Sequence, residues 1–116
     1  MFDGTIYAGI SPETGKPMYT TPADAPGTMD WEDATKYATQ LYANGYQDWR
    51  VPTRGELNVL FNNRAAIGGF NRTGSGLAGW YWSSTEDYGY AWAQRFSDGT
   101  RLWTDTFKDS SLRFVR

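Results

Sequence analysis

The stretch GWYWSSTEDYGYAWAQRFSDG, residues 79–99, concentrates large aromatic side chains in one short run. Its two halves, GWYWSST and YAWAQRFSDG, are rich in residues that favour β-strands, and Ser-Asp-Gly at 97–99 indicates a tight turn after the second. Because successive strand side chains point to opposite faces, Trp80 and Trp82 share one face while Tyr81 points to the other. We expect the tryptophan face to pack inside the protein.

The β pattern continues to the carboxyl terminus. TRLWTDTF (100–107) and SSLRFVR (110–116) have the composition of two further strands, so the second half of the chain is predicted to be a four-stranded meander. We expect the last strand to return beside the first strand of the chain, which brings the termini together. Trp92 is expected in the core, Val115 in the sheet, and Arg113 in a structural ion pair.

A first helix is predicted within MDWEDATKYATQLYANG (29–45). Asp30 is a suitable N-cap, and Gly45 is suited to end the helix in the left-handed conformation. Apolar residues recur at the helical spacing of three to four, which predicts one buried stripe. The stripe consists of Trp31, Ala34, Ala38, Leu41 and Tyr42.

A second helix is predicted within YQDWRVPTRGELNVLFNN (46–63), where Thr53 and Glu56 have the spacing of a capping box. Its expected buried face is Leu57, Leu60 and Phe61. The preceding segment 48–50, Asp-Trp-Arg, is interpreted as a structural joint. Trp49 is expected in the core, with the two charged neighbours paired with each other or with backbone groups.

The amino-terminal segment TIYAGISPETGKPMYTT (5–21) predicts two short strands around a turn at 12–15, with Pro17 at the start of the second. The Gly-rich segment at 64–79 is predicted to be a mobile surface loop. The fold class is therefore α+β, a single domain over residues 1–116, with two helices packed on a small antiparallel sheet and adjacent amino- and carboxyl-terminal strands.

Composition excludes several functions. The chain has 116 residues and a formal net charge of −2, so it lacks the basic surface expected of a nucleic-acid-binding protein. It has no apolar run long enough for membrane insertion and no signal-peptide pattern at its start. The chain contains no cysteine and no histidine, which excludes thiol nucleophiles, Ser-His dyads and imidazole metal sites. We expect no catalytic residues, no metal and no cofactor.

Three linked motifs, WEDATKYA, DWRVPTRGEL and YWSST…AWAQRFSDG…SLRFVR, resemble the carboxyl-terminal domain of Legionella collagen-like adhesins. The resemblance covers about residues 28–116. It implies a C-type-lectin-like fold, related to formylglycine-generating-enzyme domains, in a protein of the cell surface, of a secreted fraction or of a phage particle. AWAQRFSDG leading to DSSLRFVR is also similar to variable proteins of diversity-generating retroelements, which present a hypervariable surface on this fold.

Two blocks, EDYGY (86–90) and TRLWTDTF (100–107), mix large, small and charged residues without a steady period. Exposing large aromatic side chains such as those of Tyr88 and Trp103 to water is unfavourable, and such exposure is typical of interaction sites. The resemblance to the retroelement proteins implies that these blocks form a variable, ligand-binding surface. The implied residues are Glu86, Asp87, Tyr88, Gly89, Tyr90, Ala93, Thr100, Arg101, Leu102, Trp103, Thr104, Thr106 and Phe107.

The ligand is predicted to be a protein, because rigid aromatic residues with polar ones between them are typical of binding surfaces. The alternative is a carbohydrate or glycosaminoglycan bound without calcium, since the Glu-Pro-Asn, Gln-Pro-Asp and Trp-Asn-Asp motifs of calcium-dependent lectins are absent. A structural alternative is that Tyr88, Trp103 or Phe107 packs under the loop at 68–79. Formylglycine-generating enzymes of this fold work through cysteines or through copper bound by them, so their activity does not transfer to a chain without cysteine. The oligomeric state stays open.

Overall fold

The computed structural model describes residues 4–72 and 79–116, and its elements confirm the α+β class. The two strands of the first hairpin form one antiparallel sheet, and the last three strands form another in the order β3-β4-β5. In chain order the elements are β1 (Ile6–Ile10), β2 (Pro17–Thr20), α1 (Trp31–Gln40), α2 (Arg54–Asn62), α3 (Arg64–Ile67), β3 (Trp80–Asp87), β4 (Tyr90–Arg95) and β5 (Arg101–Asp105). In these two ranges no helix is long and apolar enough to cross a membrane.

The first helix begins as predicted but ends earlier. The side chain of Asp30 accepts a hydrogen bond from the backbone N–H of Asp33, whereas the backbone leaves the helix at Leu41, well before Gly45. Ala43 and Tyr46 instead close a turn through reciprocal backbone hydrogen bonds of 3.0 Å. The positive φ of 84° at Gly45 therefore serves this turn. The predicted buried stripe is wrong at Tyr42, which lies beyond the end of the helix and is 65% exposed.

The second helix is confirmed with its capping box. Thr53 accepts from the backbone of Glu56, and the Glu56 carboxylate accepts from the backbone of Thr53. Glu56 is fully buried and also accepts from Arg50 at 2.7 Å and from Ser11 at 2.6 Å. Burial alone would raise the pKa of Glu56, but these hydrogen bonds outweigh it and lower the pKa to about 2. One carboxylate thus ties the first hairpin to the helix.

The segment after α2 differs from the predicted surface loop. Residues 64–67 form the short helix α3, and Ile67 and Phe70 are buried. Phe70 packs against Tyr81 and Phe96, so this part of the segment covers the core. The remainder of the predicted loop, 73–78, lies outside the described residues.

The first half of strand β3 is buried on both faces, which corrects the expected inward and outward sides. Trp82 belongs to one hydrophobic cluster with Trp49, and Trp80 packs against its edge. Tyr81, on the other face, is also fully buried in a second cluster with Leu57 and Phe96. The strand separates two cores, because helices and loops cover it from both sides. The expectation that Tyr81 would point away from the core is therefore wrong, because both of its strand's faces are covered at this point.

The carboxyl-terminal segment joins the parts of the fold. It is not a continuous strand, because Ser110, Ser111 and Val115 make single bridges to several different segments. Tyr19 and Arg116 exchange backbone hydrogen bonds of 2.9 Å, so the segment meets β2 rather than the expected β1. Val115 is buried as predicted.

Candidate functional site: the aromatic face of the carboxyl-terminal sheet

The strand register decides which side chains of the carboxyl-terminal sheet share a face. Trp92 on β4 pairs with Trp103 on β5, and Tyr90 pairs with Asp105 on one side and Asp87 on the other. Directly paired residues point to the same side of a sheet, and so do residues two apart along a strand. We call the resulting surface the aromatic face; it comprises Asp87, Tyr88, Tyr90, Trp92, Arg101 and Trp103, bordered by Arg54 and Asn58 of α2.

The centre of the aromatic face is held by packed rings. The ring centroids of Trp92 and Trp103 lie 5.0 Å apart in an edge-to-face arrangement of 79°, a favourable geometry for aromatic pairs. The guanidinium of Arg54 lies 5.5 Å from the centroid of the Trp92 ring. The predicted core position of Trp92 is wrong, because its side chain is only half-buried and lies on this face. The sequence signal that the prediction missed is the strand period of two, which puts Trp92 on the same side as Tyr90.

Two depressions lie on either side of this pair. One, of about 370 Å³, is lined by Asp87, Tyr88, Tyr90 and Trp103; we call it the aromatic depression. The other, of about 420 Å³, is lined by Arg54, Gly55, Asn58, Trp92 and Arg101; we call it the arginine depression. The contribution of α2 to the second has no signal in the sequence, because it depends on how the helix packs beside the sheet.

The two depressions carry opposite charge. Among the ion pairs within residues 4–72 and 79–116, none involves Arg54 or Arg101, so both guanidinium groups are available at the arginine depression. Asp87 likewise has no ion-pair partner in those ranges. By contrast, Arg95 pairs with Asp98 at the neighbouring turn. The aromatic face therefore offers a ligand two cationic groups at one end and a carboxylate at the other.

The tip of the hairpin has an unusual backbone. Tyr88 and Gly89 connect β3 to β4 with positive φ angles of 48° and 86°, as a two-residue type I′ turn requires. Asparagine, aspartate or glycine is preferred at the first position, and a bulky residue there is strained. Tyr88 is nevertheless present, and it is 96% exposed. Its side chain contributes surface rather than stability.

We expect Tyr88→Asn to raise the free energy of unfolding by about 0.5–1 kcal/mol, because asparagine adopts the left-handed conformation at lower cost. Urea unfolding followed by tryptophan fluorescence measures this change. Tyr88→Ala is the matched control, since it removes the same ring but keeps a strained backbone, and its stability should stay within about 0.5 kcal/mol of the native protein. An equal gain in both variants would contradict the strain argument.

The predicted ligand-binding residues divide by exposure. Most are exposed, with Tyr88, Trp103 and Phe107 at 96%, 42% and 87%, so the structural alternative of packing under the loop is wrong for Tyr88 and Phe107. Thr104 and Thr106 are half-buried. The exposed residues are Glu86, Asp87, Tyr88, Gly89, Tyr90, Thr100, Arg101, Leu102, Trp103 and Phe107.

Four of the predicted residues on the strands do not belong to the aromatic face, one of them being Thr104, which pairs with Ala91. Ala93 is fully buried, which corrects its assignment, because its strand position faces the core beside Trp82. Leu102 pairs with Ala93 and Glu86 pairs with Ala91, so both point to the opposite side of the sheet. Their exposure comes from lying at an edge or an end of that sheet.

The described residues contain no group of three or more His, Cys, Asp or Glu side chains that could hold a metal ion. The aromatic face instead provides rings, two guanidinium groups and a carboxylate, which support non-covalent binding. A pair of small antiparallel sheets, with α1 packed on one side of β3 and α2 on the other, is consistent with the C-type-lectin-like class.

The chain belongs to the Lcl C-terminal domain family, whose pattern it matches over residues 13–116. This agrees with the resemblance to Legionella collagen-like adhesins and identifies an adhesin-like bacterial domain. A comparison with curated proteins finds no match.

Proposed function

We propose that this chain is a non-enzymatic recognition domain that binds a protein ligand on the aromatic face. The observation that carries the proposal is the exposure of Trp103, Tyr90 and Tyr88 on a sheet whose opposite face is anchored in the core. Rigid aromatic side chains provide much of the binding energy at protein interfaces at a low cost in conformational entropy. The sheet therefore has one side packed in the hydrophobic core and exposed rings on the other, which supports this role.

The opposite charges at the two ends of the aromatic face favour a protein ligand. A folded surface or a peptide presents side chains of both charges, and these complement the arginine depression and the Asp87 carboxylate. The chain has few further cations nearby and a net charge of −2, which disfavours a long polyanion such as a glycosaminoglycan.

We further propose that the exposed positions vary among close copies of the domain, as in variable proteins of diversity-generating retroelements. Side chains at 86–90 and 100–103 contribute little to the core, so substitutions there leave the framework intact. The test is genomic: near-identical copies that differ mainly at these positions, beside a reverse-transcriptase gene and a template repeat, would support it. Copies that vary equally in the core would contradict it.

A carbohydrate ligand is the second candidate. The aromatic depression combines the rings of Tyr88, Tyr90 and Trp103 with the carboxylate of Asp87. Sugars stack on rings through their apolar faces and donate hydroxyl hydrogen bonds to carboxylates. A glycan array separates the two candidates, because it detects a sugar ligand without any protein.

We expect Trp103→Ala to weaken ligand binding at least tenfold, since truncating a central aromatic residue commonly costs about 2 kcal/mol or more. The wild-type domain and its variants are compared on a panel of purified extracellular proteins and on a glycan array, with affinity measured by surface plasmon resonance. Tyr42→Ala is the matched control. It removes an exposed ring, 65% accessible, that lies outside the aromatic face, and binding should change less than twofold. Equal binding by Trp103→Ala and the wild type would refute the proposed surface.

A further inference from the structure

We infer that the aromatic depression is a specific site for a basic side chain, lysine or arginine, presented by the protein ligand. This inference rests on the proposed function and adds the chemical class that one part of the surface takes. It is carried by three rings and one carboxylate lining a single depression of about 370 Å³, together with the charges of the strands around it.

The strand register places negative charge on both sides of Tyr90. Asp87 on β3 and Asp105 on β5 are its direct neighbours across the sheet, so the three side chains lie in one row on the same side of the sheet. Asp105 borders the aromatic face without lining the depression, and one of its carboxylate oxygens accepts from the backbone N–H of Phe107. Neighbouring strands are about 4.8 Å apart, which puts the Cα atoms of the two aspartates about 10 Å from each other. An aromatic ring flanked by two carboxylates attracts a cation from either side.

No cation of the described ranges neutralises this row. The ion pairs found there join other residues, and neither aspartate takes part in one. Lys108 lies three positions after Asp105, yet its contact with Asp105 is a backbone hydrogen bond of 3.1 Å. The free guanidinium groups of Arg54 and Arg101 line the arginine depression on the other side of Trp92. The charge at the aromatic depression is therefore left for a ligand.

The rings favour the same occupant. The faces of tryptophan and tyrosine attract ammonium and guanidinium groups, and several rings around one cation form an aromatic cage. Tyr88, Tyr90 and Trp103 line the depression together with Asp87. A lysine or arginine also has an apolar stem that packs along aromatic surface while its charged end reaches the carboxylate. An acidic side chain would be repelled, and a purely apolar one would leave Asp87 without a partner.

The first experiment titrates the isotope-labelled domain with short peptides and follows the Trp103 indole and the Tyr90 amide by NMR. Three acetyl-Gly-X-Gly-amide probes are used, where X is lysine, Nε-acetyl-lysine or norleucine. We expect the lysine peptide to bind about five- to tenfold more tightly than either neutral peptide, because only it carries the cation. Equal or tighter binding of the acetylated or norleucine peptide would overturn the inference.

The second experiment uses a matched pair of charge variants. Asp87→Asn and Glu86→Gln each remove one carboxylate from adjacent positions, but Glu86 points to the opposite side of the sheet. Asp87→Asn should weaken the lysine peptide about two- to fivefold, while Glu86→Gln should change it less than Asp87→Asn. Trp103→Leu, which keeps an apolar side chain on β5, should weaken it by a similar factor. Equal effects of the two charge variants would overturn the assignment to this face.

The outcomes also separate this inference from the proposed function. If norleucine binds better than lysine at Trp103, the aromatic face still binds ligands but the depression takes an apolar side chain. If Trp103→Ala leaves the affinity for a protein ligand unchanged, the aromatic face is not the binding surface and the proposed function fails.

Discussion

Asp24→Ala is expected to lower the free energy of unfolding by about 3–5 kcal/mol, which is the usual cost of removing one partner from a buried ion pair. Arg113 is fully buried, and its Nε donates to Asp24 at 2.9 Å. The hydroxyl of Tyr81 donates to the other oxygen of the same carboxylate. The substitution leaves a buried guanidinium without its counter-charge and a buried phenol without its acceptor.

The surroundings of Arg113 explain why this loss cannot be avoided by relaxation. Its remaining hydrogen bonds go to the backbone carbonyls of Thr21 and Gly68, at 2.9 Å and 3.2 Å, and its guanidinium lies 3.9 Å from the centroid of Phe70. The Arg113 side chain is fully buried and that of Asp24 keeps 20% of its exposure, so burial lowers the pKa of Arg113 and raises that of Asp24. Each depends on the other for compensation.

Asp48→Ala is the matched control for this prediction. It also removes an aspartate from an arginine, at 2.6 Å from Arg116, but the Asp48 side chain is 63% exposed. Pairs at the surface contribute about 0–1 kcal/mol. Urea unfolding at neutral pH measures both variants. Similar losses for Asp24→Ala and Asp48→Ala would show that the buried pair has no special role.

Trp49→Ala is the second large effect, with an expected loss of about 3–5 kcal/mol through the cavity that it creates. Trp49 is 3% exposed and belongs to the cluster that contains Trp82. Its indole N–H donates to the carbonyl of Ala43 at 3.0 Å, and its ring packs edge-to-face on Tyr46. Truncation therefore removes packing and one of the two hydrogen bonds to the Ala43 carbonyl, which keeps the bond from the backbone N–H of Tyr46.

Arg101→Ala and Thr104→Ala serve as controls for Trp49→Ala. Arg101 is exposed on the aromatic face and Thr104 is half-buried on β5, and neither contributes to a hydrophobic cluster. Their stabilities should remain within about 0.5 kcal/mol of the native protein by calorimetry or urea unfolding. Comparable melting losses in all three variants would refute the separation between a buried framework and an exchangeable surface.

Local patterns predicted much of the framework correctly. Asp30 begins α1, and Thr53 with Glu56 caps α2, because capping depends on a few adjacent residues. The predicted turn at 12–15 connects β1 and β2. The end of α1 was predicted too late, since Gly45 fits a helix end and a tight turn equally well and only the pairing of Ala43 with Tyr46 decides between them.

The candidate site was predicted only in part from the sequence. The blocks around Tyr88 and Trp103 were identified by their irregular composition, and most of their residues are exposed. Ala93, outside both blocks, was assigned from the resemblance alone, and its strand position beside Trp82 buries it. Trp92 was assigned to the core together with Trp80 and Trp82, although strand parity with Tyr90 places it on the aromatic face.

The sequence by itself determined the α+β class, the two capped helices and the exclusion of histidine and cysteine chemistry, because these depend on composition and on contacts a few residues apart. Only the tertiary structure decided that the first half of β3 is buried on both faces, that Arg113 meets Asp24, and that Arg54 of α2 borders the sheet beside Trp92. These contacts join residues far apart in the chain. Their geometry follows from how the elements pack, and no local pattern records it.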